Sequence, residues 1–169
     1  GVSVCTVDAT ETALHENPSL WGVGHATSLP GKDLYNNSDH MAEATPKCPY
    51  LLMENSVGFG YAELMGLELV AGRLLSRQYA SDSTAVVINE TAARTLGYSV
   101  EEAVGKSFID KDRDGTIRRM PIIGVVHDYN IQSLHLPISP TMLPLMHGHW
   151  EGFMLVKVSN TQNSRETLA

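Results

Sequence analysis

The chain has 169 residues, of which 43% are hydrophobic and 18% are charged, enough for one core or for two small lobes. Twelve Lys and Arg residues against nineteen Asp and Glu residues give a net charge of −7. This acidic balance excludes a nucleic-acid binder, and the hydrophobic content excludes a disordered chain. No apolar stretch approaches the roughly eighteen residues that span a bilayer, and the start lacks the features of a signal peptide. We therefore expect an excised soluble piece of a longer protein.

In chain order, the hydrophobic pattern first predicts a strand over 2–7, a helix over 10–15, a strand over 20–27, a polar loop over 31–47 and a strand over 50–57. A helix over 59–65, a strand over 67–70, a turn over 71–73, a strand over 84–88 and a helix over 90–96 follow.

The last third of the chain is predicted to contain a helical turn over 100–104, a hairpin of 107–110 with 117–126, irregular chain over 127–136, an extended segment around 142–143, a strand over 153–158 and a helical start at Thr161. Because strands and helices do not alternate strictly, the pattern predicts an α+β fold.

Two residues at helix ends support these boundaries. Asn89 is well placed to cap the helix over 90–96, and Gly97 to end it.

Arg73 follows the predicted turn and could bind a carboxylate with both guanidinium nitrogens, inside the fold or on a partner. We favour the internal carboxylate.

The two cysteines, Cys5 and Cys48, allow neither a metal-ligand spacing nor a disulfide framework. They are either small buried apolar residues or a disulfide pair in an oxidising compartment.

An acidic segment, residues 110–116, matches the first half of a calcium-binding EF-hand loop, with Asp110, Asp112 and Asp114 at alternate positions and Gly115 at the sixth. The position that needs a bidentate Glu is Pro121, and strands flank the segment. The pattern therefore favours a polar hairpin turn over a Ca²⁺ site.

The glycine patterns that bind nucleotides are incomplete. Val100 stands where a phosphate-binding loop ending at Lys106 needs its first glycine. Thr27 and Glu63 stand where the two candidate dinucleotide fingerprints need their third glycine. A nucleotide site is not expected.

Two groups of histidines could carry chemistry. His147 and His149 would share one side of an extended segment, as in a metal site or a pH sensor. His127, Asp128 and His135 lie in the irregular segment after a strong strand, where an active site could form. No serine elbow or nearby cysteine accompanies them, so we favour surface or hydrogen-bonded histidines. The residues taken alone predict a soluble, non-enzymatic α+β domain.

An ordered series of short motifs resembles the MacB-like periplasmic core domain of FtsX-like ABC transporter permeases. The resemblance covers roughly residues 11–160. The series is NPSLWGV at 17–23, SLPG at 28–31, LELVAGR at 67–73, SD at 81–82, VVINETAA at 86–93, LG at 96–97, AVGK at 103–106, IIGVVHDY at 122–129, SLH at 133–135 and PISP at 137–140.

The resemblance implies that the shared residues mark turns and caps of the fold and are not catalytic. These signature residues are Gly72, Arg73, Asp82, Asn89, Glu90, Gly97, Gly105, Lys106, Gly124, Asp128, Pro137 and Pro140.

For the architecture, the resemblance implies two lobes. A porter-like βαβ lobe is expected from residues 1–57 and 151–169, incomplete at its C-terminal side. A mixed α/β lobe, residues 58–150, is expected as an insert. No cofactor, metal or catalytic residue is implied.

For the function, the resemblance implies a periplasmic domain looped out between two transmembrane helices of a permease in the cytoplasmic membrane, with a slightly better match to a second periplasmic loop. The implied partners are those helices, a cytoplasmic ATP-binding subunit or domain, a second permease copy, and an adaptor, lipoprotein or peptide cargo. ATP binding would move the helices, and the lobes would follow as a rigid element through chain ends that lie on one side.

Three alternatives remain, each with a structural requirement. A periplasmic ligand-binding or sensor module needs an enclosed pocket with convergent polar groups. A small hydrolase using His127, Asp128 and His135 needs those side chains to converge in a cleft. A Ca²⁺-dependent module would gain thermal stability with Ca²⁺ through the loop over 110–116.

Overall fold

The computed structural model describes residues 20–29, 31, 37–45, 48–111, 116–131, 135–146 and 152–158. The predicted strand over 2–7, the helix over 10–15 and the helical start at Thr161 lie outside these ranges. Within them, no helix has both the length and the apolar character needed to cross a membrane.

Short strands and a few helical turns make up the described chain, in agreement with the predicted mixture, and the strands dominate. The strands are β1 (Leu20–Ala26), β2 (Asn37–Ala42), β3 (Pro49–Glu54), β4 (Leu69–Gly72), β5 (Val86–Asn89), β6 (Ser107–Lys111), β7 (Ile117–Val126), β8 (Thr141–Pro144) and β9 (Phe153–Val158). The helices are α1 (Tyr61–Leu64), α2 (Glu90–Thr95) and α3 (Val100–Ala103), and a 3-10 helix covers Ala80–Thr84.

The described strands form two sheets. β1 and β9 form an antiparallel ribbon, and the other seven strands form one sheet in the order β4-β7-β5-β8-β3-β2-β6. Because β6 also pairs with β7, the strands from β7 through β5, β8, β3 and β2 to β6 form a closed circuit. β4 lies outside this circuit and pairs with the second half of β7. Closure removes most of the free edges that an open sheet would expose.

The seven-stranded sheet separates two apolar cores. On β5, Val86 and Ile88 face the first core and Val87 faces the second, as the period-two geometry of a strand requires. The first core also contains residues of α2 and α3, and the second contains residues of β1 and α1. Each large apolar side chain that is fully buried stabilises the fold by about 1.5–3 kcal/mol, so both cores hold the sheet in place.

A bulge in β7 lets this one strand serve both cores. Its register against β5 shifts between Ile122 and Gly124. Ile122 and Val125 face the first core, whereas Ile123 and Val126 pack in the second. Without the extra residue, strict alternation would place Val125 and Ile123 on the same face.

β4 and β7 approach each other more closely than side chains allow. Gly72 lies opposite Gly124 in the register. A Cβ atom on Gly72 would lie 2.2 Å from the Ile123 carbonyl oxygen, and one on Gly124 would lie 2.2 Å from the Arg73 carbonyl oxygen. Gly72 also has a φ of 75°, a region that residues with a side chain avoid.

Two sequence predictions are wrong. The loop predicted over 31–47 contains β2, in which Asp39 is exposed while His40 and Ala42 are buried. The turn predicted over 71–73 begins with the end of β4, because Gly72 serves the approach to β7 and does not reverse the chain. In both cases pairing with a strand far along the chain, β6 for β2 and β7 for β4, overrides the local preference for a loop or turn.

The other predicted elements within the described ranges are confirmed to within about two residues, except that the strand predicted over 50–57 ends at Glu54. The two expected lobes, and their division into 1–57 with 151–169 and 58–150, stay a prediction. β2 and β3, which precede residue 58, pair within the larger sheet.

Replacing Gly124 with Ala should lower the free energy of unfolding by about 3 kcal/mol, because the added methyl overlaps backbone that cannot move away. Gly72→Ala should cost at least as much, since its positive φ adds strain of about 1 kcal/mol. Urea unfolding followed by circular dichroism measures both values.

Gly97→Ala is the matched control. Gly97 has a φ of 82° but nothing within 4 Å of the added Cβ, so only the strain of about 1 kcal/mol is expected. Equal losses for Gly97→Ala and Gly124→Ala would contradict the steric explanation.

Candidate functional site

The described chain enters and leaves the fold side by side. Leu20, the first residue of β1, is the Cα partner of Val158, the last residue of β9. Partner Cα atoms in an antiparallel pair lie about 5 Å apart. Residues 1–19 and 159–169 therefore connect to the fold at the same end of the ribbon.

A short extended segment, residues 55–58, connects the ribbon to the seven-stranded sheet. Val57 bridges Ala26 of β1 in antiparallel fashion and Leu145, just after β8, in parallel fashion. The backbone hydrogen bonds run from Thr27 N to Ser56 O (2.9 Å), from Gly58 N to His25 O (2.8 Å), from Val57 N to Pro144 O (2.9 Å) and from Met146 N to Val57 O (2.8 Å). The segment acts as an additional strand between the two sheets.

Asn55, at the start of this segment, is fully buried. Its Oδ1 accepts hydrogen bonds from the Thr27 hydroxyl (3.1 Å) and the Ser28 amide (3.0 Å). Its Nδ2 donates to the Tyr61 hydroxyl at 3.3 Å. Burial raises the pKa of Tyr61, although the bond from Asn55 acts in the opposite direction, so the phenol stays neutral. The amide therefore joins β1, the connecting segment and α1.

Sequence reasoning missed Asn55 and its partners. The only local signal is that Asn55 follows the apolar run that forms β3. An amide buried there must have hydrogen-bond partners, because buried polar groups rarely lack them. Its partners Thr27 and Ser28 are 28 and 27 residues away, so nothing in the local sequence identifies them.

Arg73 grips a carboxylate inside the fold, the alternative that we favoured. Its Nη1 and Nη2 lie 2.6 Å from Oδ2 and Oδ1 of Asp82, whose side chain is fully buried. The amide of Ser76 donates to the same carboxylate at 2.9 Å. The bonds from Arg73 lower the pKa of Asp82, and burial, which acts in the opposite direction, does not cancel them. Two signature residues thus fasten the loop after β4 to the 3-10 helix.

Asn89 caps α2, as predicted, and it also ties α2 to β8. Its Oδ1 accepts from the amides of Ala92 and Thr141, both at 2.9 Å. Its Nδ2 donates to the Ser139 carbonyl oxygen at 3.0 Å. A single buried amide therefore satisfies groups on three segments.

Glu90 and Asp128 fasten the end of β7 to α2. The Glu90 carboxylate accepts from the Asp128 amide at 3.1 Å and lies 3.2 Å from Nδ1 of His127. Both bonds lower the pKa of Glu90. Asp128 accepts from the amide and hydroxyl of Thr91, both at 2.8 Å, and from the guanidinium of Arg94. Burial raises the pKa of Asp128, but the bonds from Thr91 and Arg94 outweigh it and leave the pKa lowered.

These contacts bear on the hydrolase hypothesis. His127 faces Glu90 and, at 4.0 Å, Glu68, whereas Asp128 is committed to Thr91 and Arg94. A nucleophile–base pair needs its groups within hydrogen-bond reach of each other. The described contacts of His127 and Asp128 instead hold α2 against β7.

The remaining signature residues lie at element ends. Gly97 follows α2, and Gly105 donates from its amide to the Ile122 carbonyl oxygen at 2.8 Å. The Lys106 ammonium lies 5.5 Å from the centre of the Tyr98 ring. The Pro140 carbonyl oxygen accepts from the Met53 amide at 2.8 Å, and Pro137 lies in the exposed approach to β8.

The metal and disulfide hypotheses fall largely outside the described residues. Residues 112–115 of the acidic loop, His147 and His149 are not described, and the described histidine, cysteine and carboxylate side chains include no group of three that could hold a metal ion. β6 and β7 flank the acidic loop as a hairpin. Cys48 is exposed and Cys5 lies outside the described ranges, so their pairing stays a prediction.

A crevice between α1 and β5 offers little room for a ligand. Its lining includes Val57, Tyr61, Leu75, Val87 and Leu143, and its volume is about 10 Å³. That is room for roughly one water molecule, whereas small-molecule pockets usually have about 300–1,000 Å³.

Parts of this sequence and its fold recur in known proteins. No protein-family model matches the chain. Over 115 residues it is 30% identical to the macrolide export ATP-binding/permease protein MacB of Aggregatibacter actinomycetemcomitans, a match that takes in 64% of this chain and 17% of that protein. The chain thus spans a small part of that relative's length.

Three solved structures have a similar fold. The periplasmic region of MacB from Actinobacillus actinomycetemcomitans has a TM-score of 0.64 at 21% identity, covering 95% of this chain and 68% of that one. A domain of a putative permease from Porphyromonas gingivalis has a TM-score of 0.65 at 21% identity, covering 92% and 69%. The extracellular domain of the ABC-type transporter YknZ from Gram-positive bacteria has a TM-score of 0.51 at 15% identity, covering 82% and 61%.

These comparisons confirm the resemblance predicted from the sequence. The chain has the fold seen in the extracytoplasmic regions of ABC transporter permeases. Within that class, it is similar to the periplasmic region of MacB in both fold and sequence.

Replacing Asp82 with Asn should lower the free energy of unfolding at pH 7 by about 1.5–3 kcal/mol, because the charge-assisted bonds from Arg73 are lost. The native pKa of Asp82 lies below its value of about 3.9 in the unfolded chain. Its contribution is therefore complete above that pH and declines as pH falls through the native pKa. Denaturation measured from pH 7 to pH 2 should show the difference between variant and wild type shrinking with acid.

Asp39→Asn, at an exposed position on β2, is the control and should change the stability by less than about 0.5 kcal/mol. A difference between Asp82→Asn and wild type that stayed constant down to pH 2 would show that the ionised carboxylate is not what stabilises the loop.

Proposed function

We propose that this chain is a non-catalytic periplasmic domain, looped out between two transmembrane helices of an ABC transporter permease in the cytoplasmic membrane. The observation that carries the proposal is the pairing of Leu20 with Val158 at one end of the ribbon. A domain inserted between two membrane helices must receive and return its chain on the membrane side. The antiparallel ribbon supplies that geometry.

The domain would pass on motion and would not perform chemistry. ATP would be hydrolysed by a cytoplasmic ATP-binding subunit or domain, whose closure moves the membrane helices. The helices would pull on both ends of the ribbon, and the seven-stranded sheet would follow as a rigid body. Its partners on the periplasmic side would be a second permease copy and an adaptor, lipoprotein or peptide.

The hydrogen bonds and ion pairs of the polar side chains support a non-enzymatic role. Arg73 and Asp82 bind each other, and Glu90 and Asp128 bind groups on α2 and β7. A catalytic acid or base needs an open face toward a substrate. These residues hold loops and helix ends in place.

A ligand-binding sensor module is the second candidate. It would share the periplasmic location, but it needs an enclosed pocket with convergent polar groups. The crevice beside α1 has a volume of about 10 Å³ and a mostly apolar lining. The transporter domain therefore accounts better for the described geometry.

The parent gene should encode an apolar stretch of about twenty residues on each side of this segment, with Lys and Arg on the distal flanks. In intact cells that express the full-length protein, a cysteine at Ile117, which is 67% exposed, should react with a membrane-impermeant maleimide. The background variant carries Cys5→Ser and Cys48→Ser so that neither native thiol of this segment contributes.

A cysteine in the cytoplasmic ATP-binding partner is the control and should react only after lysis. Soluble sequence on both sides of the segment, or labelling at position 117 only after lysis, would overturn the proposed topology.

Nucleotide should move the domain as a whole. In the full-length transporter reconstituted in vesicles, spin labels at Ile117→Cys in the two permease copies should change their separation when ATP is bound. The reason is that the ribbon ends follow the membrane helices. Pulsed electron paramagnetic resonance measures this distance.

A substitution that abolishes ATP binding in the partner subunit should abolish the change. An identical distance distribution with and without ATP would contradict the transmission role.

A further inference from the structure

We propose that Asn55 is the positioning residue of a rigid joint, formed by residues 55–61 with Thr27 and Ser28, that makes the ribbon and the seven-stranded sheet one mechanical body. This inference rests on the proposed function for its significance. The joint itself is argued from the contacts of the described residues.

The first argument is the continuity of hydrogen bonding across the joint. Residues 55–58 bond to β1 and the residues after it on one side, and to β8 and the residues around it on the other. Both ladders use the same short segment, so the ribbon cannot swing relative to the larger sheet without breaking one of them. Breaking a buried backbone bond leaves groups that neither water nor protein satisfies.

The second argument is the three-way connection through Asn55. Its amide reaches the Thr27 hydroxyl, the Ser28 amide and the Tyr61 hydroxyl, and the side chain is fully buried. The Thr27 hydroxyl in turn accepts from the Ser56 amide at 3.0 Å. A buried polar network of this kind favours one arrangement of the elements that it joins, because any other leaves its members without partners.

The third argument is close packing at the same place. Gly22 and Gly24 leave a bare surface on β1, where a Cβ on Gly22 would lie 2.9 Å from Cδ1 of Leu64. α1 therefore lies directly against the ribbon. Ala26 and Val57, which bridge each other, are both buried in the second core.

A flexible hinge would show different features. Regions that open easily have few buried apolar contacts and exposed backbone hydrogen bonds. The joint has a buried apolar core on one side and a satisfied amide at its centre. A displacement of the ribbon at Leu20 and Val158 would therefore move the seven-stranded sheet with it.

Amide hydrogen exchange on the 169-residue chain tests the joint directly. In the wild type, the amides of Thr27, Ser28 and Gly58 should be as protected as that of Val87 in β5. Asn55→Ser should accelerate exchange at Ser28 by roughly tenfold or more, because that amide loses its acceptor, and leave Val87 unchanged. Thr27→Val, which keeps the shape and removes the hydroxyl, should do the same at Ser56 if Asn55→Ser fails to fold.

Ser99→Ala is the matched control. Ser99 accepts from the Glu102 amide in the capping box of α3, far in sequence from the joint. Its loss destabilises the fold away from the joint, so any effect of general destabilisation appears in this variant too. Exchange at Ser28 should keep its wild-type rate there.

A second readout measures stiffness between the sheets. Spin labels at Leu51→Cys on β3 and Lys157→Cys on β9, in a background with Cys5→Ser and Cys48→Ser, should give one narrow distance distribution that Asn55→Ser broadens. A broad distribution in the wild type, or fast exchange at Thr27 and Ser28, would overturn the joint.

The two proposals fail separately. If the joint is stiff but ATP does not move the domain in the full-length transporter, the transmission role is wrong and the joint stands. If ATP moves the domain but the two labels inside it change their separation, the joint is wrong and the transporter role stands.

Discussion

The architecture depends on β7, because this strand pairs with three others and contributes to both cores. Its first half pairs with β6 and its second half lies between β4 and β5. Pro121, which has no N–H group, lies opposite the first residue of β6, where that ladder begins. The bulge after Ile122 then turns Val125 toward one core and Val126 toward the other. Closure of the sheet and separation of the cores are thus consequences of one irregular strand.

The polar residues that resemble a functional site serve to hold these elements together. Arg73 and Asp82 fasten the loop after β4, while Asn89, Glu90 and Asp128 fasten α2 to the ends of β7 and β8. Each carboxylate binds donors from a different segment, so its charge is satisfied within the fold. Buried or half-buried carboxylates with such partners stabilise structure. Short motifs rich in Asp, Glu and Arg can therefore serve the fold itself, by fastening loops and helix ends to the strands.

Buried polar contacts between separate segments also hold the ribbon in place. The described chain begins and ends side by side at Leu20 and Val158, and the ribbon is held to the larger sheet through residues 55–58 and the Asn55 amide. The transmission of motion proposed above depends on this closely packed, hydrogen-bonded connection between the ribbon and the sheet.

By itself, the sequence determined the local elements and the class of the fold. The apolar run in 84–88, the cap at Asn89 and the hairpin before Val126 depend on residues near one another, so pattern and propensity predicted them. The ordered motifs likewise predicted the resemblance to permease domains. Elements that depend on pairing with other strands could not be predicted. β2 forms because it pairs with β3 and β6, and Gly72 extends β4 because Gly124 lies opposite it. Only the tertiary structure decided that Arg73 binds Asp82, that Asn55 joins the two sheets and that Leu20 lies beside Val158. Each of these contacts depends on how separate elements pack together, which no local pattern encodes.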